Sequence, residues 1–295
     1  MLSNIGKSAF EPISGQAAAA ATGIQVGLAL VATRALAEEV SPMTLAMLRY
    51  GIGVTILLPF FLRMKRPPIA CADLLPILAL GVGQFAVLIA LLNLGLQSVS
   101  ASQGGVIFAT FPLVTILFAA SLGREQLTVL RSLGALMSFA GVTLCLGASD
   151  LPSSISGAGL IFASACVGAL CSVFYRPYLQ RYPTLQIGTL AMVAATAALI
   201  PGVLIENPVA ELTKLSVQSW GLIGFIGLAS GAGYLLWLTA LKNTDAGEAT
   251  VLMGLSPVTA AVVGAGLLRE PIGFVFLVGL ALALLGVSLA VLSRG

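Results

Sequence analysis

The chain has 295 residues, of which 58% are hydrophobic and 8% are charged, and its mean hydropathy is +1.06. A soluble domain carries about 25% charged residues, so most of this surface is not built to face water. The net charge of +3 is too small to favour nucleic acid as a partner, and the lack of any histidine excludes histidine-based acid–base chemistry and histidine metal sites.

Ten apolar runs follow one another along the chain, and each is close to the about 20 residues that cross a bilayer as a helix. The sequence therefore predicts an all-α polytopic membrane protein with ten transmembrane helices. The predicted spans are Gln16–Ala32, Pro42–Leu62, Leu74–Leu92, Ser102–Leu122, Thr128–Gly147, Gly157–Tyr175, Thr184–Ile205, Trp220–Leu241, Ala249–Leu268 and Gly273–Leu292.

The two halves of the chain carry a gapless repeat at an offset of 145 positions. A repeated unit with an odd number of helices enters its second copy upside down, and inverted repeats around a central site are a recurring plan of secondary transporters. We therefore predict a five-helix repeat over residues 1–147, a linker over 148–156 and an inverted five-helix repeat over 157–295. The paired positions are Pro112 and Pro257, Arg124-Glu125 and Arg269-Glu270, Gly134 and Gly279, and Gly141 and Gly286.

The basic residues predict the orientation. Of the 14 lysines and arginines, ten fall on the side of the amino terminus, three fall on the opposite side, and Arg49 lies inside the second span. Because cytoplasmic loops carry an excess of Lys and Arg, both termini are predicted to be cytoplasmic, in a bacterial inner membrane.

Two repeated features have alternative interpretations. Pro112 and Pro257 lie inside apolar spans, where a proline removes a backbone hydrogen bond and weakens the helix. We interpret them as a pair of hinges bordering the substrate path, and a static kink that shapes packing is the alternative. Glu125 and Glu270 stand at helix-connecting corners and are expected to cap the helix that follows, with proton coupling as the alternative.

Arg49 is the one charged residue well inside a predicted span, about 10 Å deep at 1.5 Å per residue. Intramembrane ionisable residues are functional candidates by default. Arg49 is suited to attract a substrate carboxylate, and snorkelling to the surface or binding helix-end carbonyls are equally open alternatives.

Ser230, Tyr234 and Trp237 fall at i, i+4 and i+7 and form one stripe of the eighth span. This stripe predicts a substrate pocket, with helix packing or an interfacial belt as the alternative. At the repeat-related positions the first half carries apolar residues instead, Phe85, Ile89 and Leu92. Further intramembrane polar residues complete the predicted substrate-binding set, which is Gln84, Arg49, Ser230, Tyr234, Trp237, Gln25, Tyr175 and Ser164.

Several motifs resemble those of the drug/metabolite transporter superfamily, in its ten-helix EamA-type branch. They are Leu48-Arg49-Tyr50, Phe111-Pro112 with Gly123-Arg124-Glu125-Gln126-Leu127, and Ser256-Pro257 with Leu268-Arg269-Glu270-Pro271-Ile272. The resemblance covers nearly the whole chain and implies small-molecule transport, mostly export, of metabolites such as amino acids. In its overall look the chain is similar to the YddG-type aromatic amino acid exporters.

We therefore expect an exporter of amino acids or related small metabolites, in which the two halves rock around a midplane cavity to alternate access. No catalytic residue, cofactor or metal ligand is predicted, and the absence of a GxxxxGK[ST] loop excludes ATP as the energy source on this chain. No Asp or Glu lies near the middle of a span, which favours facilitated transport over proton antiport. Multidrug or organic-cation efflux is the main alternative, ahead of a non-transporting membrane protein or a lipid-modifying enzyme. The partners are the substrate and the lipid bilayer, and the oligomeric state is left open.

Overall fold

The computed structural model describes residues 14–65, 67–122, 128–147, 154–243, 252–270 and 272–292, and within these residues the regular secondary structure is entirely helical. The predicted corner residue Glu125 and positions 148–153 of the predicted linker lie outside the described residues.

The long helices coincide with the apolar runs of the sequence, because a segment in lipid must satisfy its own backbone N–H and C=O groups. A π-helical turn, Val82–Val87, joins α3 to α4 in one continuous run. The α-helices are α1 (Gly15–Leu36), α2 (Pro42–Arg63), α3 (Cys71–Gly81), α4 (Leu88–Leu96), α5 (Ala101–Phe108), α6 (Phe111–Ser121), α7 (Val129–Gly147), α8 (Ile155–Arg181), α9 (Thr184–Glu206), α10 (Val209–Leu212), α11 (Val217–Asn243), α12 (Leu255–Leu268) and α13 (Phe274–Leu292).

Seven helical runs among the described residues are long and apolar enough to cross a membrane. Three further apolar helices are shorter, over Ser132–Cys145, Leu255–Leu268 and Phe274–Leu289. A multi-pass helical protein is therefore confirmed, and the count of ten spans stays a prediction.

The sequence predicts that the two repeated prolines weaken a helix from inside a span. In the structure, both lie in the first turn of a helix instead. The fourth predicted span is broken between α5 and α6, and Pro112 is the second residue of α6. Pro257 is the third residue of α12. In the first turn a backbone N–H has no intrahelical acceptor, so a proline there removes no helical hydrogen bond.

The four repeated glycines join α7 to α13. A Cβ atom added to Gly141 would lie 2.5 Å from the carbonyl oxygen of Gly279, and one added to Gly286 would lie 2.5 Å from that of Gly134. Because the contact moves forward along α7 as it moves backward along α13, the two helices are antiparallel. A helix of the repeat thus packs upside down on its own copy, as the inverted arrangement requires.

The two halves of the chain interleave. The most extensive packing joins α7 with α13, α1 with α11 and α12, α2 with α9 and α11, and α4 and α6 with α8. Each of these pairs takes one helix from each half. The apolar faces of each half are therefore covered by helices of the other, and the movement of the two halves about a cavity stays a prediction.

Candidate functional site

A cavity of about 120 Å³ lies among helices from both halves. A cavity needs about 10–15 Å³ of such space to hold one water, so this one has room for several waters or a small solute. It is lined by Thr22, Gln25, Val26, Ala29, Leu30, Arg49, Tyr50, Gln84, Phe85, Leu88, Ile89, Leu92, Phe108, Phe111, Ser230, Gly233, Tyr234, Trp237 and Met253.

The predicted stripe on α11 faces this cavity, because helical positions i, i+4 and i+7 share one face. The repeat-related apolar residues line it as well. The rings of Phe85 and Tyr234 meet edge to face, with 4.5 Å between their centroids. Positions related by the repeat therefore converge on one cavity, with the more polar set on α11 and the apolar set on the π-helical turn and α4. The two sets are Ser230, Tyr234 and Trp237, and Phe85, Ile89 and Leu92.

Arg49 is buried in the cavity wall, with 8% of its surface exposed. Its Nε–H donates to Ser230 Oγ, and the hydroxyl of Ser230 donates in turn to the carbonyl oxygen of Ile226 at 2.7 Å. The guanidinium carbon also lies 5.6 Å from the ring centroid of Tyr50. These contacts hold the side chain in the interior, so it does not extend to the membrane surface.

The charge of Arg49 is uncompensated within the described part of the chain. No carboxylate among the described residues forms an ion pair with Arg49. Among the described residues that line the cavity, Arg49 is also the one charged side chain. Burying an ion without a partner is costly, by several kcal/mol even after relaxation. The site is therefore suited to a ligand that brings a negative group.

Two amide side chains supply neutral hydrogen-bonding groups beside Arg49. Gln25 Nε2 and Gln84 Oε1 are both buried without a hydrogen-bond partner. Gln25 lies against Gly233, where any Cβ atom would collide with its amide. Gln84 projects from the π-helical turn, and such turns inside α-helices occur frequently at functional sites.

Large apolar side chains form the rest of the wall. Phe108 and Phe111 stack with 5.7 Å between their ring centroids, on either side of the break between α5 and α6. Trp237 and Met253 also line the cavity. Such side chains offer a large contact area to an apolar group. Phe108, Phe111 and Met253 were not predicted from the sequence as lining residues, since no periodic pattern distinguishes them from ordinary packing residues.

Two predicted substrate-binding residues do not line the cavity. Ser164 is fully buried, and its Oγ–H donates to the carbonyl oxygen of Ile161 at 2.6 Å, in its own helix. Tyr175 is buried, and its hydroxyl has no hydrogen-bond partner within the described residues. Ser164 therefore satisfies its own backbone, and Tyr175 is buried away from the cavity-lining set.

Pro112, but not Pro257, lines a second, smaller gap of about 20 Å³. Pro112 and Ser256 line this gap together with Phe111 and Met253, which also line the main cavity. A Cβ atom added to Gly105 would lie 3.2 Å from Cα of Pro257, so α5 contacts the start of α12 closely. The hinge role of the prolines stays a prediction.

Glu270 caps a different helix from the one expected. Its carboxylate accepts hydrogen bonds from Ala101 N at 2.7 Å, from Ser102 N at 3.0 Å and from Ser102 Oγ. It therefore caps α5, in the other half of the chain, and not the helix that follows it. Arg269 ends α12 with a left-handed backbone, at φ 54°.

Glu206 and Glu211, which the sequence analysis did not single out, play the same part at α2. Glu206 accepts from Met43 N at 2.9 Å and from Thr44 N at 2.8 Å. Glu211 accepts from Ser41 N at 3.0 Å and from Ser41 Oγ at 2.6 Å. No local motif joins positions more than 160 residues apart in the chain, so these contacts had no signal in the sequence.

The family model described as "EamA-like transporter family" matches the chain twice, over residues 13–147 and 155–292. An "Uncharacterized transporter" from Archaeoglobus fulgidus is 29% identical over 91% of this chain and 95% of its own length. A "Probable terminal-alkyne amino-acid exporter" from Streptantibioticus cattleyicolor is 28% identical over 73% of this chain and 72% of its own length. A solved structure with 21% identity superposes with a TM-score of 0.71 over 95% of this chain and 96% of that one, which shows a shared fold.

Proposed function

Because the chain belongs to the EamA-like transporter family, we propose that this membrane transporter exports small metabolites that carry a carboxylate, above all amino acids. The observation that carries the proposal is the buried Arg49, which has no acidic partner among the described residues. A substrate carboxylate would accept hydrogen bonds from its guanidinium, and charge-assisted bonds of this kind are among the stronger ones in proteins.

The rest of the cavity suits an amino acid. The amides of Gln25 and Gln84 offer hydrogen bonds to an ammonium or carboxylate group, and Trp237 and Met253 offer contact area to an apolar side chain. The similarity to a protein named as an amino-acid exporter supports the same class of cargo. Aromatic amino acids are included in this class without being singled out.

Organic cations suit the cavity less well, which argues against multidrug efflux. A cation alone would meet the like charge of Arg49 and, among the described lining residues, no carboxylate to offset it. Like charges in a medium of low dielectric repel strongly. A zwitterion avoids this penalty because its own carboxylate faces the guanidinium.

For the transport cycle, we propose that all ten apolar segments cross the inner membrane, with both termini in the cytoplasm, and that the cavity alternates its exposure. Because the halves interleave, the movement is a rearrangement of helix pairs about the shared cavity. The described lining residues include no acid that could carry a proton, so the proposed transport follows the substrate gradient.

Thermal unfolding of the purified protein, titrated with matched compounds, tests the cargo. A ligand that binds the folded state raises its apparent stability by mass action. We expect L-leucine or L-phenylalanine to raise the unfolding temperature more than the corresponding methyl ester, which lacks the carboxylate, or than tetraphenylphosphonium. Stabilisation by the phosphonium together with no response to any amino acid would overturn the proposal.

The topology has its own test. Accessibility tags placed at positions 124 and 269 are expected to emerge on opposite faces of the membrane, since these positions are related by the inverted repeat. Tags that emerge on the same face would contradict the inverted ten-span arrangement.

A further inference from the structure

One end of the molecule is held together by carboxylates that cap helices of the other half. Glu206, at the end of α9, receives hydrogen bonds from the first turn of α2, including one from Thr44 Oγ1 at 2.7 Å. Glu270, just after α12, receives those of the first turn of α5. In both cases the acid comes from the second half of the chain and the capped helix from the first.

These contacts are electrostatically favourable and specific. The first N–H groups of a helix lack acceptors within the helix, and the helix dipole favours a negative charge at that position. Each carboxylate here uses its two oxygens on two successive N–H groups and a neighbouring hydroxyl. The bonds are charge-assisted, which makes them stronger than bonds between neutral groups.

The two capped helices both contribute residues to the cavity wall. Arg49 and Tyr50 lie about two turns below the cap of α2, and Phe108 ends the helix that Glu270 caps. Buried apolar residues, here called the apolar layer, lie on five helices between the cavity-lining residues and the capped end of the same helices. Leu36, Leu45 and Ile223 pack in one cluster and Leu96 and Ala101 in another, and each is at most 2% exposed.

We propose that Glu206 and Glu270 form the gate of the cavity at this end, which the basic residues predict to be external. While both carboxylates hold the first turns of α2 and α5, the apolar layer stays closed. Opening toward this end requires the carboxylates to leave these N–H groups. The assignment rests on the proposed transport function, because a gate has meaning only in a protein that moves a solute.

Side-specific labelling of a cavity cysteine tests the gate without any substrate. The full chain, with its four native cysteines replaced and Ile89→Cys introduced, is placed in membrane vesicles of either orientation and treated with an impermeant maleimide. We expect slow labelling from the capped end in this background and at least about tenfold faster labelling in E206Q/E270Q. A tenfold change corresponds to about 1.4 kcal/mol of the closed state.

Two controls separate gating from damage. Glu38 lies at the same end with its side chain 83% exposed, so E38Q should label at the rate of the parent background. In a parallel protein that keeps Cys145 as its one cysteine, this fully buried thiol should stay unlabelled if E206Q/E270Q is folded. Equal rates for E206Q/E270Q and E38Q, with Cys145 protected, would overturn the gate.

A reversible lock provides the complementary measurement. In S102C/E270C, a short cleavable reagent that bridges the two thiols is expected to arrest flux of a transported amino acid, and reduction should restore it. Full flux through the bridged protein would refute the gate. If the parent protein moves no amino acid at all, the proposed function fails instead, and the labelling result still decides the gate.

Discussion

Replacing Arg49 by methionine would show whether its charge serves a ligand or the fold. In the structure the guanidinium is buried, donates to Ser230 and has no carboxylate partner among the described residues. Exchanging buried ionic groups for apolar ones of similar volume is often neutral or stabilising. Losing a charge-assisted bond to a substrate carboxylate, in contrast, costs about 1.5–3 kcal/mol, or a factor of roughly 10 to 150 in Kd.

The two effects have opposite signs, so one set of titrations separates them. Without ligand, R49M should unfold at or above the temperature of the parent protein. The amino acid that most stabilises the parent protein should raise the unfolding temperature of R49M only slightly. Calorimetry should show that R49M binds this amino acid with a Kd at least about tenfold weaker than the parent protein does. The methyl ester of the same amino acid is a cation, so it should bind R49M at least as tightly as it binds the parent protein, because the like charge of Arg49 is gone.

Arg34 offers a matched control, since it lies at the end of α1 with its side chain 27% exposed and pairs with Glu38 at 3.9 Å. R34M should retain the affinity of the parent protein. Unchanged affinity of R49M for the amino acid would refute a role for Arg49 in binding the substrate carboxylate. An R49M protein that unfolds earlier but keeps its ligand response would make Arg49 a structural residue.

Three further predictions address the pocket, the packing and the energy source. Trp237→Ala should weaken the binding of L-leucine and L-phenylalanine more than that of L-alanine in the same calorimetric assay, because it removes apolar contact area. Equal losses for all three amino acids would show that the ligand side chains do not contact Trp237. Gly286→Leu should lower the free energy of unfolding by about 1–3 kcal/mol, as overpacking does, because the added Cβ would collide with the backbone of α7. Gly266→Leu is the control: a Cβ there meets open space, so this variant should unfold like the parent protein. In proteoliposomes, amino acid flux should be the same with and without an imposed pH gradient, and uphill accumulation driven by that gradient alone would disprove gradient-following transport.

Some features followed from the sequence because their causes are local or periodic. Hydropathy placed the helices, since a bilayer demands apolar runs of a set length. The repeated glycines, such as Gly141 and Gly286, predicted an inverted pair, and the structure packs them against the opposite copies. The stripe of Ser230, Tyr234 and Trp237 indicated a pocket because helical spacing alone puts the three on one face.

Other features could not be read from the sequence, because they depend on what lies beside a residue in the fold. Ser164 and Gln84 are both polar and intramembrane, yet Ser164 bonds to its own helix, and Gln84 faces the cavity from a π-helical turn. Glu270 sits at a corner, where capping the next helix is the simplest expectation, but a left-handed Arg269 ends α12 just before it and its carboxylate reaches α5.

The sequence by itself determined that this chain is a helical membrane protein with a duplicated unit, because hydropathy and repetition depend only on the order of residues along the chain. Only the tertiary structure decided that the halves interleave, that Arg49 is buried with Ser230, and that Glu206 and Glu270 hold helices of the other half. The physical reason is that a helix bundle in lipid can satisfy its buried polar groups with any neighbour, and neighbours distant in the chain leave no local pattern.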